Sequence, residues 1–326
     1  MKRLLIAATF LITIAAVGAG LLYSWGHQRF TGPGPLDERK IVLIERGSGL
    51  EAIARQLTQE GVIRSPLLFR VGARVTGQAR RLKAGEFEFP AEVSPERALQ
   101  IIVSGRTVAR TLTIPEGLTS REVVARIREA PALTGEIGQV PDEGTLLPET
   151  YHYQRGDSRA DLLQRMQASM DGALAELWPR RAEELPYDTK QAAVTLASIV
   201  EKETAVPDER ALVAGVFVNR LERGMRLQSD PTVRYALTEG EEDLGRPLTR
   251  ADWKVEHPYN TYRITGLPPG PIANPGRAAL EAALNPADTE YLYFVADGSG
   301  GHAFAKTLRE HNRNVAEWRK VRDGDK

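Results

Sequence analysis

The chain has 326 residues, room for about two or three domains, and balances 43 basic against 43 acidic side chains for a formal net charge of zero. Without a surplus of positive charge there is no global field to draw in a polyanion, which argues against nucleic acid as a partner. Cysteine is absent, and with it disulfides, thiolate metal sites, a cysteine nucleophile and a lipid-modified N-terminal cysteine.

Met1-Lys2-Arg3 is followed by an uncharged run from Leu4 to Trp25, long enough to cross a hydrocarbon core that needs ~20 residues. Basic residues before the run and Tyr23 and Trp25 at its far end predict a single-pass anchor over 1–26, with its N-terminus inside. Everything after His27 then lies outside the cytoplasm, on the outer side of the cytoplasmic (inner) membrane. A cleaved signal peptide is the alternative, because Ala16-Val17-Gly18-Ala19 offers small residues. The run exceeds the usual h-region of about 7–15 residues, which favours a retained anchor. Residues 27–38, containing TGPGPLD, read as a short stiff linker.

Residues 39–130 read as a small α+β module. Lys40 to Glu45 is an apolar strand, Arg46-Gly47-Ser48 a turn, and a helix begins at Gly49 with Ile53, Ala54 and Leu57 on its inner side. Ser48 and Glu51 have the spacing of a capping box. Strand, Gly or Ser-Pro turn and helix recur from Gly85 and from Thr111, the last with Thr119-x-x-Glu122, as weak internal repeats. The first unit, VLIERGSGLEAIARQL, resembles a LysM-type module, a family implicated in binding N-acetylglucosamine polymers. A spacer that binds no sugar is the other reading of the same residues. Pro131 to Gly144, rich in Gly, Pro and acids without periodicity, predicts a domain boundary.

The stretch 145–326 reads as a mixed α/β domain. TLLPETYHY crowds polar groups, Glu149 among them, into an apolar turn, and a helix follows from Arg159 to about Leu177 with a Leu and Met stripe that is core. In TKQAAVTLASIVEKET, Ala192, Leu196, Ile199, Val200 and Glu203 share one narrow helical stripe, whereas Gln191, Thr195, Ser198 and Lys202 share another face. Glu201 points roughly 200° away from Glu203, so the two acids cannot serve one site. A carboxyl among Leu and Ile is desolvated, which raises its pKa toward what a general acid needs near neutral pH. The alternative is a solvated glutamate that merely closes the helix.

A helix led by Pro207 ends at Gly224 and gives way to MRLQSDPT, with Gln228 and Asp230. Between Glu256 and Gly276 lies EHPYNTYRITGLPPGPIANPG, too rich in Pro for an element interior and too aromatic for a disordered linker. A fixed loop lining a pocket fits best, with Tyr259, Asn260 and Tyr262 suited to sugar rings and their N-acetyl groups. A hairpin from Tyr291 to Ala305 and an amphipathic helix close the chain. His302 and His311 lack metal-motif spacing, Gly298 to Gly301 lacks the Lys-Ser/Thr of a phosphate cradle, and no G-x-S-x-G is present. No cofactor or metal is expected.

ASIVEKETAVPDERALVAGVFVNRL, MRLQSDPTVRYAL, YNTYRITGLPPGPIANPG and YLYFVADGSGGHAF, in that order, closely resemble the endolytic murein transglycosylase family, the YceG-like membrane-anchored group. The resemblance implies that the second glutamate of E-K-E, Glu203, is catalytic. It also implies peptidoglycan glycan strands as substrate, cleavage inside strands and association with peptidoglycan synthases. The reaction expected is protonation by Glu203 of the bond between N-acetylmuramic acid and N-acetylglucosamine, then removal of the C6 hydroxyl proton by the same group to leave a 1,6-anhydro end. Asn260 or Gln228 would orient the acetamido group, Tyr259 and Tyr262 would stack on sugar rings, and Asp230 and Glu149 would form a supporting shell or simple salt bridges. A water-using muramidase with Asp230 as second carboxylate, and a tethered wall-binding scaffold without catalysis, stay open. The fold class expected is α+β: one transmembrane helix, a LysM-like module and a mixed domain carrying a glutamate on a helix.

Overall fold

A computed structural model of the chain describes residues 2–241 and 244–324. The chain divides into two compact units, Met1–Arg110 and Thr111–Lys326.

The first unit opens with α1 (Lys2–Thr31). Its segment Ile6–Thr31 is long and apolar enough to cross a membrane, and Ile6, Phe10, Leu11 and Leu21 stand exposed along it. The helix continues past Trp25 because Phe30 is buried at its end. The Phe30 ring lies over Gly72, where an added Cβ would come within 2.2 Å of it. The expected linker is pinned as a strap: Gly34 N donates to Glu92 O (3.1 Å), Glu92 N donates to Leu36 O (2.7 Å), and Leu36 is buried.

Strands β1 (Lys40–Ile44) and β2 (Gly85–Phe89) pair antiparallel, Lys40 opposite Phe89 and Ile44 opposite Gly85. Helices α2 (Leu50–Gln59), α3 (Pro66–Val75) and α4 (Pro95–Ser104) complete a core in which Val42, Ile44, Phe87 and Phe89 meet Ile53, Leu57, Phe69, Leu99 and Ile102. Both α3 and α4 start from a serine cap followed by proline, the pre-organised entry expected of such pairs. Ser48 makes no such cap. Gly49 is the N-cap of α2 without a side-chain bond, and Glu51 turns to Arg55 (3.2 Å) instead, since one residue of shift removes the capping-box register. The strand and helix repeats are not equivalent units either, because β1 and β2 complete each other's sheet.

In the second unit β3 (Arg110–Thr113) pairs with β4 (Thr150–Tyr153). Helix α5 (Ser120–Glu129) carries the full Thr119/Glu122 capping box. Residues Ile114, Val123 and Ile127 share a core with Leu162 and Met166 of α6 (Arg159–Leu177). The stretch 131–144 therefore runs inside this unit, and the division of the chain falls earlier, after Arg110. The stretch is tied down, with Thr134 N donating to Asp157 O at 2.9 Å.

The second core surrounds α7 (Lys190–Glu203), packed by α6, α8 (Arg210–Glu222), α9 (Asp230–Thr238) and α10 (Arg277–Leu284). Ala193 to Val200 are buried without a break, so α7 has no solvent face there. Its polar positions are satisfied inside: Thr195 Oγ1 donates to Gln191 O (2.9 Å) and Ser198 Oγ to Thr195 O (2.7 Å) while accepting from Ile272 N (3.0 Å). Strands β5 (Tyr293–Ala296) and β6 (His302–Ala305) form an antiparallel hairpin against which α11 (Leu308–Gly324) packs. Among the described residues the architecture is mixed α+β, eleven α-helices with three two-stranded sheets.

Candidate active site

Helix α7 is buried until its last turn, where its two acids separate. Glu201 accepts from Gly276 N (2.9 Å) and faces Arg210 (3.6 Å). Glu203, the last residue of the helix, turns the other way, and its Oε1 accepts from Ser229 Oγ at 2.5 Å. Burial raises the Glu203 carboxyl to about 7. The Ser229 hydrogen bond and the positive charges of His302 and Arg220 oppose that rise, and the negative charge of Asp230 adds to it. By exposed area Glu203 is intermediate between buried and exposed.

Ser229 is held by the buried hydroxyls beneath it. It occupies the N-cap position of α9 without a side-chain cap bond, its N–H donates to Thr261 Oγ1 (3.0 Å), its carbonyl accepts from Thr232 Oγ1 (2.6 Å), and Thr232 and Thr261 bond each other (2.8 Å). Gln228, just before it, is exposed and has φ 51°, the left-handed region that is strained for a side chain of this kind.

Asp230 opens α9 beside Ser229. Its Oδ1 accepts from Tyr262 Oη (2.8 Å) and Trp253 Nε1 (3.0 Å), and the two rings stack with centroids 5.7 Å apart. This forms an aromatic wall anchored on a carboxylate. Burial first, and then the charge and hydrogen bond of Asp230, raise the Tyr262 phenol, which stays protonated as a donor.

Arg220 and His302 flank Glu203. Arg220, buried on α8, donates through Nε to Leu292 O and through an Nη to Leu227 O, each at 2.6 Å, with its guanidinium 5.2 Å from the Tyr293 ring centre. His302 pairs through Nδ1 with Glu209 Oε2 (2.6 Å), and its backbone N–H donates to Glu209 Oε1 (2.7 Å). Burial would raise Glu209, but these bonds and the one from Thr204 Oγ1 (3.2 Å) outweigh it and hold the carboxyl below its ordinary range.

Of the residues singled out from sequence, Glu203, Asp230 and Tyr262 come together, with Gln228 at the edge. Asn260 does not present its amide outward. It is fully buried, donating to Val255 O (2.7 Å) and Trp253 O (3.3 Å) and accepting from Tyr262 N (3.0 Å), so it shapes the loop that carries Trp253 and Tyr262. Tyr259 turns away onto Tyr235, with ring centres 4.8 Å apart, and lines a cavity of about 540 Å³ shared with Glu143. Glu149 is exposed before β4, where its charge acts on Tyr151 and Arg277 rather than on Glu203. Ser229, Trp253, Arg220 and the His302–Glu209 pair escaped sequence reasoning. Ser229-Asp230-Pro231 carries an N-cap signature that marks the first of them. Among the described residues no three His, Asp or Glu side chains converge as a metal set.

The fold and the site define a mixed α+β protein with one carboxyl, Glu203, held by Ser229 beside an aromatic wall of Trp253 and Tyr262. The model of the YceG-like family matches residues 42–317, and the chain belongs to that family. An endolytic murein transglycosylase of Bacillus subtilis (strain 168) is 31% identical over 83% of this chain and 82% of its own length. A second, from Streptococcus pneumoniae serotype 2 (strain D39), is 30% identical over 95% of this chain. The chain spans 64% of the length of that pneumococcal relative. The crystal structure of a YceG-like protein from Listeria monocytogenes aligns with a TM-score of 0.51 at 32% identity, covering 85% of this chain and 99% of that one.

Proposed function

We propose that the chain is an endolytic murein transglycosylase. It cleaves peptidoglycan between N-acetylmuramic acid and N-acetylglucosamine without water and leaves 1,6-anhydro ends, inside strands and so ending nascent ones. The observation that carries this reading is the Glu203 carboxyl, raised to about 7 by burial and oriented by Ser229. Family membership supports it.

A group that titrates near neutrality serves in both directions. Protonated Glu203 gives its proton to the glycosidic oxygen as that bond to C1 of the muramic ring breaks. The carboxylate left behind takes the proton of the C6 hydroxyl as its oxygen bonds to C1. The proton count closes without water, and one carboxyl suffices where a hydrolase ordinarily needs two. Asp230 does not need to act as base when Glu203 works in both directions, and its Oδ1 accepts from Tyr262 and Trp253. Its role is to fix the wall on which a sugar ring rests. His302 and Arg220 stabilise the transient Glu203 carboxylate.

The test is mass spectrometry of purified glycan strands digested by wild type and by Glu203→Gln. Anhydro ends from wild type, reduced at least about a hundredfold in the variant, are expected. Reducing ends would point to a muramidase, and equal products from both proteins would remove Glu203 from the chemistry.

The remaining assignments follow the same reading. Helix α1 anchors the chain in the cytoplasmic (inner) membrane, N-terminus inside, with the Glu203 site outside the cytoplasm, and synthases of the wall are its partners there. The LysM-like part, β1 with α2, binds glycan. Residues 27–110 should be retained by insoluble cell wall, and free passage would leave them a spacer.

A further inference from the structure

Where α1 leaves its apolar span, the first unit carries a cavity of about 310 Å³. Trp25, Gln28 and Arg29 of α1 line one side, and Arg64, Ser65 and Leu68, at the start of α3, line another. Among the described residues no carboxylate lines it, and neither Arg29 nor Arg64 is ion-paired. Arg29 holds its guanidinium 5.6 Å from the centre of the exposed Trp25 ring. The Phe30 ring over Gly72 locks α1 to α3, so the two arginines keep their spacing. Helix α3 also leaves Leu67, Val71 and Val75 exposed at 61%, 47% and 77%, one turn apart on a single stripe.

These features share one physical setting. Tryptophan at the end of an apolar span belongs at the level of lipid headgroups. Guanidinium forks match phosphate oxygens, and an aliphatic stripe beside basic residues suits the boundary of headgroup and acyl chain. We propose that this cavity binds the phosphate headgroup of an anionic phospholipid in the bilayer that α1 crosses. Two unpaired arginines disfavour a zwitterionic headgroup, whose cationic end would share the pocket. The inference rests on α1 as a membrane span and not on the chemistry at Glu203.

The test uses the full chain in lipid discs of phosphatidylglycerol and phosphatidylcholine in equal amount, with native mass spectrometry of the lipids that stay bound. Phosphatidylglycerol should be retained in roughly ten- to thirtyfold preference. Arg29→Gln with Arg64→Gln should bring the two lipids near parity, Arg29→Lys with Arg64→Lys should keep most of the preference, and Arg74→Gln, on α3 outside the cavity, should leave it unchanged. Parity in the wild type, an unchanged preference in the double glutamine variant, or an equal loss in Arg74→Gln would overturn the proposal. Displacement of the lipid by soluble glycerol phosphate at matching concentration would reassign the cavity to a free phosphate ester. A chain that does not enter the discs would remove the span itself and leave the Glu203 reading untouched.

Discussion

Glu203 is an expensive residue to keep. Its carboxyl titrates at about 7 in the folded chain against 4.5 unperturbed, so between those values the folded state holds a proton that the unfolded state has lost. Stability must then fall as pH rises through that window, and above about 7 the whole loss is in place. Burial raises Glu143 to about 7 as well, against the opposing hydrogen bonds of Ser120, and adds a second loss over the same range. Replacing Glu203 by Gln should therefore stabilise the chain by roughly 1–3 kcal/mol above neutral pH, a few degrees in melting temperature, and by nothing below about pH 4. Thermal melts of both proteins across pH check this. A gain that is independent of pH would mean that the glutamine merely packs better. Ser229 limits the cost, because its hydrogen bond favours the charged form, the form that the second half of the proposed reaction uses.

At the scale of elements, the site depends on two things that bring distant residues to the end of α7. One is the cap of α9, which places Ser229 and Asp230. The other is the loop 253–263, whose shape is set from inside by Asn260. Asn260→Ala removes three internal hydrogen bonds from a fully buried position and should cost roughly 2–4 kcal/mol. It should also lower activity further than the stability loss explains, since Trp253 and Tyr262 lose their register. Denaturant unfolding and glycan digestion on the same preparation check this, and full activity in a destabilised variant would detach the loop from the site. The α5 capping box, the Leu and Met stripe of α6 and the separation of Glu201 from Glu203 were legible in the sequence because each depends on neighbours within a turn or two. The role of Asn260 was not, because an asparagine in an aromatic loop has the same local pattern whether its amide faces a sugar or its own backbone. Nor was the burial of Thr195 and Ser198, whose hydroxyls look solvent-facing until Ile272 arrives from far along the chain.

For the whole molecule, the balance of charge and the absence of cysteine narrowed the classes of partner and chemistry, and the long apolar start marked a helix long and apolar enough to cross a membrane. The division between units was harder to read. The 131–144 stretch has the composition of a linker, but its backbone is bonded to residues brought beside it by α6, a tertiary fact that composition does not record. The N-terminal helix likewise continues to Thr31 because Phe30 is buried in the core of the first unit, not because of any local signal. The proposed glycan cleavage depends on one carboxyl that is neutral near pH 7. Its most direct test is an NMR pH titration of the full chain with carbon-labelled glutamate carboxyls, assigning Glu203 by its disappearance in Glu203→Gln. A midpoint at about 7 is expected; a midpoint near the ordinary 4.5 would leave the group ionised at neutral pH, with no proton to give, and would contradict its role as acid.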